Sequence, residues 1–187
     1  MSRISDRSTA GARRAGRGGF TLVELMIACT MAAIVFAAIF AAYIFLGRNL
    51  TRLMNFQEQE VQARKTIRYF TADVGAAIAL STASSTSFTL SKPTSGGTTT
   101  VTYSYSALNG VLQRIEGGVT QTLLSGVTAI TFEYYTEAGS LVSGSPQSVK
   151  AVEISFTTAD GNATIGTRST YSLATPRVVL RNKTALQ

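Results

Sequence analysis

The sequence contains no histidine and no tryptophan, one cysteine and three prolines among its 187 residues. Without histidine, the chain lacks the commonest general base and the commonest metal ligand. The single cysteine, Cys29, excludes an intramolecular disulfide, and no site built from cysteine and histidine can form. We therefore expect no metal site, and we interpret Cys29 as a small apolar residue of a helix.

Motifs for catalysis are missing as well. The sequence has no Gly-x-Ser-x-Gly elbow and no phosphate-binding glycine loop that ends in Lys-Ser or Lys-Thr. Asp160-Gly161-Asn162 could offer oxygen ligands to calcium, but the further carboxylates of such a site are absent, so we predict a turn. Asp73 is interpreted as a surface residue of a helix or as a partner of Arg68 or Arg177. We therefore expect no enzyme, no catalytic residue and no cofactor.

The first proline is Pro93, which leaves a long N-terminal region free to form a helix. Within it, the 22 residues from Leu25 to Leu46 contain no charged residue. A helix of that length spans about 33 Å, close to the ~30 Å hydrocarbon core of a bilayer. No later stretch is comparable. The sequence therefore predicts a single membrane span that contacts lipid.

Positive charge is concentrated before this span. The chain has 17 basic and 10 acidic residues, and residues 1–19 carry +4 of the net +7. A basic block directly before a span keeps that end in the cytoplasm, so we expect the rest of the chain on the other side. Most of the excess positive charge therefore serves to orient the chain in the membrane, and we do not expect nucleic acid to be a partner.

After the span, apolar residues recur mostly at three- and four-residue steps up to about Leu80. This pattern predicts an amphipathic helix that continues the span, with possible bends at Gly47 and Gly75, and whose apolar stripe must be covered. The stripe consists of Leu50, Leu53, Met54, Val61, Ile67, Phe70, Val74 and Ile78.

From Ser81 onward, short runs of β-branched and aromatic residues alternate with polar ones, which predicts strands. Asn109-Gly110 and Gly117-Gly118 suit tight hairpins, and residues 95–99 and 138–147 are predicted to be exposed loops. We expect one antiparallel sheet of five to seven strands that packs on the amphipathic half of the helix, which is an α+β fold. The predicted strands are residues 87–91, 100–106, 110–115, 119–124, 127–135, 149–157 and 167–174.

One acid, Glu24, lies at the start of the apolar run. A charge in lipid is unfavourable by roughly 2.5–3.5 kcal/mol at the bilayer centre and by less near its edge. If a protease cut after Gly19, it would free the α-amino group of Phe20, four residues from the acid. Glu24 could then pair with its own amine or with that of a neighbouring copy, and such a pair is preferred in a low dielectric.

The stretch Gly18-Gly19-Phe20-Thr21-Leu22-Val23-Glu24-Leu25 resembles the cleavage and methylation motif of type IV prepilins. The resemblance implies that a prepilin peptidase cleaves between Gly19 and Phe20 and N-methylates Phe20. It also implies that Glu24, with Leu22, Val23 and Leu25, acts in assembly with other pilin subunits. The division expected from it is a leader (1–19), a transmembrane half-helix (20–46), an amphipathic half-helix (47–80) and a globular head (81–187).

Later segments, among them LNGVLQR and VKAVEISF, are similar to minor pseudopilin J of type II secretion and to W-type minor pilins. This likeness implies a structural subunit of the bacterial inner membrane with a cytoplasmic leader and a periplasmic head. An assembly platform in the inner membrane would extract it into a pseudopilus or pilus, with this subunit at the tip.

Two alternatives from other classes remain open. One is a simple membrane-anchored periplasmic domain, which would be neither cleaved nor dependent on Glu24. The other is a ligand- or DNA-binding pilin of adhesion or competence, which would require the later basic residues to share one face, whereas we expect scatter. Those residues are Lys92, Lys150, Arg168, Arg177, Arg181 and Lys183.

Overall fold

The computed structural model describes residues 19–142 and 145–183. A single α-helix, α1, runs from Leu22 to Ala76 over 55 residues. Its sequence has no proline and is rich in alanine, leucine and other good helix formers. Apart from Gly19, the expected leader lies outside the described residues.

The chain divides into two compact units, residues 1–44 and 45–187. Within the first unit, the described residues are helical from Leu22 onward, and every one of them is exposed. Among the described residues, α1 is the one helix long and apolar enough to cross a membrane, and none of its most apolar window is buried.

The described residues of the second unit form nine strands in two antiparallel sheets. The first sheet is a meander of β1 (Ala79–Ala83), β2 (Ser87–Thr94), β3 (Gly97–Ser106), β4 (Val111–Glu116) and β5 (Val119–Leu124), which lie in sequence order. The second sheet has the order β6-β7-β8, with β9 also paired to β7. Its strands are β6 (Val127–Tyr135), β7 (Ala151–Asp160), β8 (Ser169–Ala174) and β9 (Val178–Val179).

All seven predicted strands are present, and β5 and β6 have the predicted bounds. The expectation of one sheet is wrong, because the meander ends at Leu124 and Val127 starts a second sheet. Gly126 makes this change possible. Its φ is +64°, and a Cβ there would lie 2.6 Å from the carbonyl oxygen of Ala159, so a residue with a side chain would be strained.

The two predicted loops are mostly exposed where they are described, as expected, but both are more regular than expected. Residues 95–99 do not form an open loop, because β3 already begins at Gly97 and pairs with Thr94 across a tight turn. In the segment 138–147, Leu141 bridges to Tyr135, and a short 3-10 helix begins at Pro146. Residues 143 and 144 lie outside the described residues.

The helix ends four residues earlier than predicted. Ala79 to Ala83 form strand β1, which pairs with β2, so the chain leaves the helix after Ala76. Because Ile78 and Leu80 continue the three- to four-residue spacing of apolar residues, the sequence predicted helix as far as Leu80. In the structure, pairing with β2 outweighs this local preference for helix.

An aromatic cluster joins the helix to both sheets. The rings of Phe88 and Tyr103, on neighbouring strands, stack with centroids 4.9 Å apart. Phe132 of the second sheet meets Phe88 edge-on at 4.8 Å, and Phe70 of α1 meets the same ring edge-on at 6.0 Å. Such offset and edge-on pairs stabilise beyond their buried area. The predicted packing of helix on sheet is therefore present, with two sheets instead of one.

Only the C-terminal part of the predicted stripe packs on the sheets, where Phe70 and Val74 are buried. Leu50, Leu53, Met54 and Val61 are all more than half exposed. The buried side of α1 instead consists of Gln59, Ala63, Thr66, Phe70, Asp73 and Val74.

Polar residues on this face meet the edges of the sheets. The side-chain amide of Asn55 donates to the carbonyl oxygen of Thr167. The side-chain amide of Gln59 donates to the carbonyl oxygen of Ser169. The hydroxyl of Thr66 donates to the carbonyl oxygen of Gln62 in its own helix at 2.8 Å and lies 3.4 Å from that of Leu123. Buried backbone groups at a strand edge need partners, and these polar side chains supply them where apolar ones could not.

Candidate processing and assembly site

The predicted cleavage point lies just before α1. Gly19 and Phe20 are in non-helical backbone, and the Phe20 side chain is 90% exposed. A Cβ at Gly19 would meet no atom within 4 Å, so contacts within the described residues do not require glycine there.

Thr21 and Glu24 form a reciprocal cap at the start of α1. The backbone N–H and the hydroxyl of Thr21 donate to Oε2 of Glu24, at 2.9 and 3.0 Å. The backbone N–H of Glu24 donates in turn to Oγ1 of Thr21 at 3.2 Å. This is a capping box, with threonine at the N-cap and glutamate three residues later.

The cap changes the interpretation of Glu24. The sequence suggested an acid with no partner in its own helix until an amine is made by cleavage. In the structure, the carboxylate already accepts two hydrogen bonds from Thr21, and it sits in the first turn, where the helix dipole favours negative charge. An amine would therefore be an additional partner for a carboxylate that is already held in place.

The neighbouring apolar residues of the motif are exposed. Leu22, Val23 and Leu25 are 73%, 63% and 60% exposed. Exposed large apolar side chains around a helix start suit a segment that meets lipid or other helices.

A second polar site, which the sequence analysis did not identify, lies in the contact between α1 and the first sheet. Asp73 is 3% exposed, and Arg114 of β4 binds it with two parallel hydrogen bonds, Nε to Oδ2 at 2.6 Å and Nη2 to Oδ1 at 3.0 Å. Lys92 of β2 donates to Oδ1 at 3.0 Å, and the hydroxyl of Tyr103 donates to Oδ2 at 2.8 Å.

Glu116 completes this cluster on the solvent side. Its Oε1 lies 2.5 Å from Nζ of Lys92, and its Oε2 lies 2.6 Å from Nη2 of Arg114. The five residues therefore contain two acids and two bases, with no net charge. We refer to Asp73, Lys92, Tyr103, Arg114 and Glu116 as the ion cluster.

The ion cluster keeps its acids ionised. Burial disfavours the charged form of Asp73, but hydrogen bonds from Arg114, Lys92 and Tyr103 outweigh it, so the pKa of Asp73 lies below its usual value. The hydrogen bond from Lys92 likewise lowers the pKa of Glu116. The cluster therefore fastens the helix to the sheet as a set of ion pairs, and nothing in it provides a free acid or base for catalysis.

The expectations for Asp73 were wrong in both forms. It is not a surface residue, and its partners are neither Arg68 nor Arg177. Arg177 lies over the ring of Tyr135 with its guanidinium carbon 3.7 Å from the centroid, and Arg68 is exposed. Arg114 is 41 positions from Asp73 in sequence, so helical spacing could not reveal the pair.

Several of the later basic residues make contacts within the described part of the chain. Lys92 belongs to the ion cluster. The ammonium of Lys183 donates to the carbonyl oxygens of Pro146, Gln147 and Val149 at 2.8, 2.6 and 2.8 Å, and Lys150 donates to the carbonyl oxygen of Lys183. Internal contacts therefore occupy several of the cations that a nucleic-acid surface would need.

Metal-ligating residues are not grouped in the part of the chain that the structure describes. Within residues 19–142 and 145–183, no three of the acids and Cys29 come close enough together to hold a metal ion.

Comparison with known proteins agrees with the N-terminal motif. Residues 14–40 match the family model described as the prokaryotic N-terminal methylation motif. Together with the long apolar helix and the antiparallel sheets, this match supports a type IV pilin-like protein with an α+β pilin-like fold, anchored in the membrane by a single span. None of the curated proteins matches the sequence.

Proposed function

We propose that this chain is a structural subunit of a pilin or pseudopilin filament, made as a precursor and processed by a prepilin peptidase. One arrangement carries the proposal. The Gly19–Phe20 bond directly precedes a capping box whose acid is the fifth residue after the cut, at the start of an exposed apolar helix long enough to span a bilayer.

Processing changes the electrostatics of the helix start. Hydrolysis of the Gly19–Phe20 bond leaves a carboxylate on Gly19 and an ammonium on Phe20. That ammonium lies at the positive end of the helix dipole, where a cation is disfavoured. A carboxylate at Glu24 offsets this effect, either within the same chain or from a neighbouring one, because opposite charges in a low dielectric strongly prefer to be paired.

In this proposal, the ion cluster keeps α1 attached to the head when the subunit is extracted from the membrane. A subunit drawn out of the membrane is pulled through α1, and the load reaches the sheets through the contacts of the helix. The buried pair of Asp73 and Arg114 and the aromatic contacts of Phe70 connect α1 to the first sheet. We propose that they keep helix and head together during extraction.

The finer assignment is to a minor subunit, similar to pseudopilin J of type II secretion or a W-type minor pilin, located at the filament tip. We propose the same division as above, with leader 1–19, transmembrane half 20–46, amphipathic half 47–80 and head 81–187. The leader would be cytoplasmic and the head periplasmic, and the partners would be the prepilin peptidase, other pilin subunits and the inner-membrane assembly platform.

The test is the mass of the protein after co-expression with an active prepilin peptidase. We expect the intact mass to correspond to residues 20–187 plus one methyl group. An inactive peptidase gives the matched control, which should leave the full chain. A chain that stays uncut with the active enzyme would show that it is a simple membrane-anchored protein.

A further inference from the structure

The loop between β7 and β8 carries a sequence motif that has no part in processing or assembly. Residues 160–164 are Asp-Gly-Asn-Ala-Thr. Asparagine, then any residue except proline, then serine or threonine is the motif at which a glycan is attached to an asparagine amide. So short a motif also arises by chance, so the surroundings of each occurrence decide whether its asparagine can react.

The chain contains this motif three times, at Asn49, Asn162 and Asn182. The first occurrence lies inside α1, where the backbone N–H and C=O groups are used by the helix itself. The hydroxyl of Thr51, the third residue of that motif, donates to the carbonyl oxygen of Gly47 at 3.1 Å. An enzyme could therefore bind Asn49 only after the helix opened.

The occurrence at Asn182 is held by a contact with the helix. Its side-chain amide donates to the carbonyl oxygen of Ala76 at 3.3 Å, and attachment of a glycan to that nitrogen would break the hydrogen bond. The residue two positions before it, Leu180, is buried. Thr184, the last residue of this motif, lies outside the described residues.

The occurrence at Asn162 has an accessible amide. All five residues from Asp160 to Thr164 are exposed. The backbone N–H of Thr164 donates to Oδ1 of Asn162 at 2.8 Å, which is an Asx turn. Among the described residues, neither Nδ2 of Asn162 nor the hydroxyl of Thr164 makes a hydrogen bond. A glycan can therefore be attached there without loss of an internal contact.

We propose that Asn162 is the acceptor of an N-linked glycan, transferred from a polyprenyl pyrophosphate by a membrane-bound oligosaccharyltransferase. This inference rests on the proposed function, which places the head in the periplasm. A glycan at this position would cover the exposed β7–β8 loop with a bulky, hydrated group.

The β7–β8 loop is attached to the part of α1 that follows the apolar run. The side-chain amide of Asn55 donates to the carbonyl oxygen of Thr167 at 3.3 Å. Asn55 is nine residues after Leu46, which is about 14 Å along the helix axis. Under the proposed division of the chain, the loop therefore lies near the membrane surface, where a lipid-linked donor and its enzyme are found.

The transfer forms a bond between C1 of the first sugar and Nδ2 of Asn162. It breaks the bond between C1 and the pyrophosphate oxygen, which leaves with the electron pair, and a base of the transferase takes one proton from Nδ2. Negative charge develops on the amide oxygen as the proton leaves. The N–H of Thr164 already donates to that oxygen and stabilises the charge.

Asp160 adds a recognition group two residues before the acceptor. Its Oδ1 accepts the backbone N–H of Gly161 at 2.7 Å, and the residue is exposed. An exposed carboxylate can form a charge-assisted hydrogen bond with a cationic side chain of the transferase. Neither of the other two occurrences has an acid at this position, since Gly47 and Leu180 stand there.

Mass spectrometry of the protein purified from the membranes of its native host tests the proposal. Trypsin cuts after Lys150 and Arg168, and the peptide between them contains Asn162 as its only asparagine. We expect this peptide to carry the mass of one oligosaccharide, localised to Asn162 by electron-transfer fragmentation. Asn162→Gln should remove the added mass from the intact protein, whereas the matched control Asn182→Gln should leave it.

Two further variants separate recognition of the motif from folding of the loop. Thr164→Ser keeps the hydroxyl and should keep the glycan, whereas Thr164→Ala should lose it. Asp160→Asn should lower the glycosylated fraction by about two- to fivefold, the effect of one exposed ion pair. Unchanged circular dichroism shows that the head of each variant is folded.

An unmodified peptide would overturn the proposal. A glycan that survives in Asn162→Gln and is lost in Thr164→Ala would also overturn it, because the sugar would then be on the threonine oxygen. Protease treatment of spheroplasts distinguishes the assumptions. An unmodified head that the protease digests contradicts this inference alone, whereas a protected head contradicts the periplasmic location as well.

Discussion

Asp73 of α1 and Arg114 of β4 form a buried, two-fold hydrogen-bonded ion pair that connects the helix to the first sheet, with Nε–Oδ2 and Nη2–Oδ1 distances of 2.6 and 3.0 Å. This planar fork-to-carboxylate geometry is the strongest form of such a pair. Under the proposed function, a force on the helix would reach the strands through this pair and through the aromatic contacts of Phe70.

We expect Asp73→Asn to lower the free energy of unfolding of the head by about 3 kcal/mol, because it removes the buried acid of the pair and leaves Arg114 with Glu116 alone. The measurement is chemical denaturation of the detergent-solubilised chain, followed by circular dichroism. Glu60→Gln is the matched control, since it breaks an exposed pair with Arg64 and should change stability by less than about 1 kcal/mol. Equal effects of the two variants would contradict a special role for the ion cluster.

The ion cluster also predicts how the head responds to acid. The pKa values of Asp73 and Glu116 are lowered in the folded protein, so the folded state gains stability above their unfolded values of about 3.9 and 4.3. That stability is lost as the pH falls below those values and through the lower folded pKa values. We expect a steep loss of thermal stability below about pH 4, and the pH dependence should be weaker in Asp73→Asn.

Glu24 has two separable roles, the helix cap and the charge. Glu24→Gln keeps an oxygen that can accept from Thr21, since glutamine also serves in a capping box, but it removes the charge. If pairing with the amine of Phe20 drives assembly, Glu24→Gln and Glu24→Ala should both be cleaved and both fail to enter filaments. Intact mass reports whether each variant is cleaved, and the amount of the variant in purified filaments reports whether it assembles.

Thr21→Val gives the complementary variant. It removes the hydroxyl of the cap and keeps the charge of Glu24, and the loss of one N-cap hydrogen bond is worth about 1 kcal/mol of helix stability. We expect this variant to assemble. If Glu24→Gln assembled normally and Thr21→Val did not, the function of Glu24 would be to cap the helix and not to supply a charge.

The C-terminal segment is held by Lys183, whose ammonium donates to three carbonyl oxygens of residues 146–149. Lys183→Met leaves those oxygens without this donor, so we expect a loss of roughly 1–3 kcal/mol and faster hydrogen exchange in β9. Arg181→Gln, at an exposed position nearby, should have little effect. An unchanged exchange rate in Lys183→Met would show that the segment is held by other contacts.

Local patterns of the sequence predicted much of the fold. Alternation over residues 127–135 predicted β6 with its correct bounds, and the alternating residues Ile130, Phe132 and Tyr134 are buried on one side. The other side is less open than the alternation implies. Tyr135 is only 6% exposed, because Arg177 covers its ring, and no pattern within the strand contains that information.

The helix shows the limit of periodicity most clearly. Apolar spacing predicted that Leu50, Met54 and Val61 would be buried against the head, and they are exposed. A three- to four-residue period identifies a stripe, but it does not say whether the sheets of the same chain or another molecule cover it. The face that packs on the sheets begins with Gln59, because strand edges need hydrogen-bond donors there.

The sequence alone determined the features that depend on neighbouring residues: a span-length apolar helix and the alternating strands. Only the tertiary structure decided which residues distant in sequence meet, namely the two-sheet arrangement, the buried face of α1 and the pairing of Asp73 with Arg114. The physical reason is that secondary structure follows from contacts a few residues apart, whereas a buried charge selects its partner through the packing of whole elements.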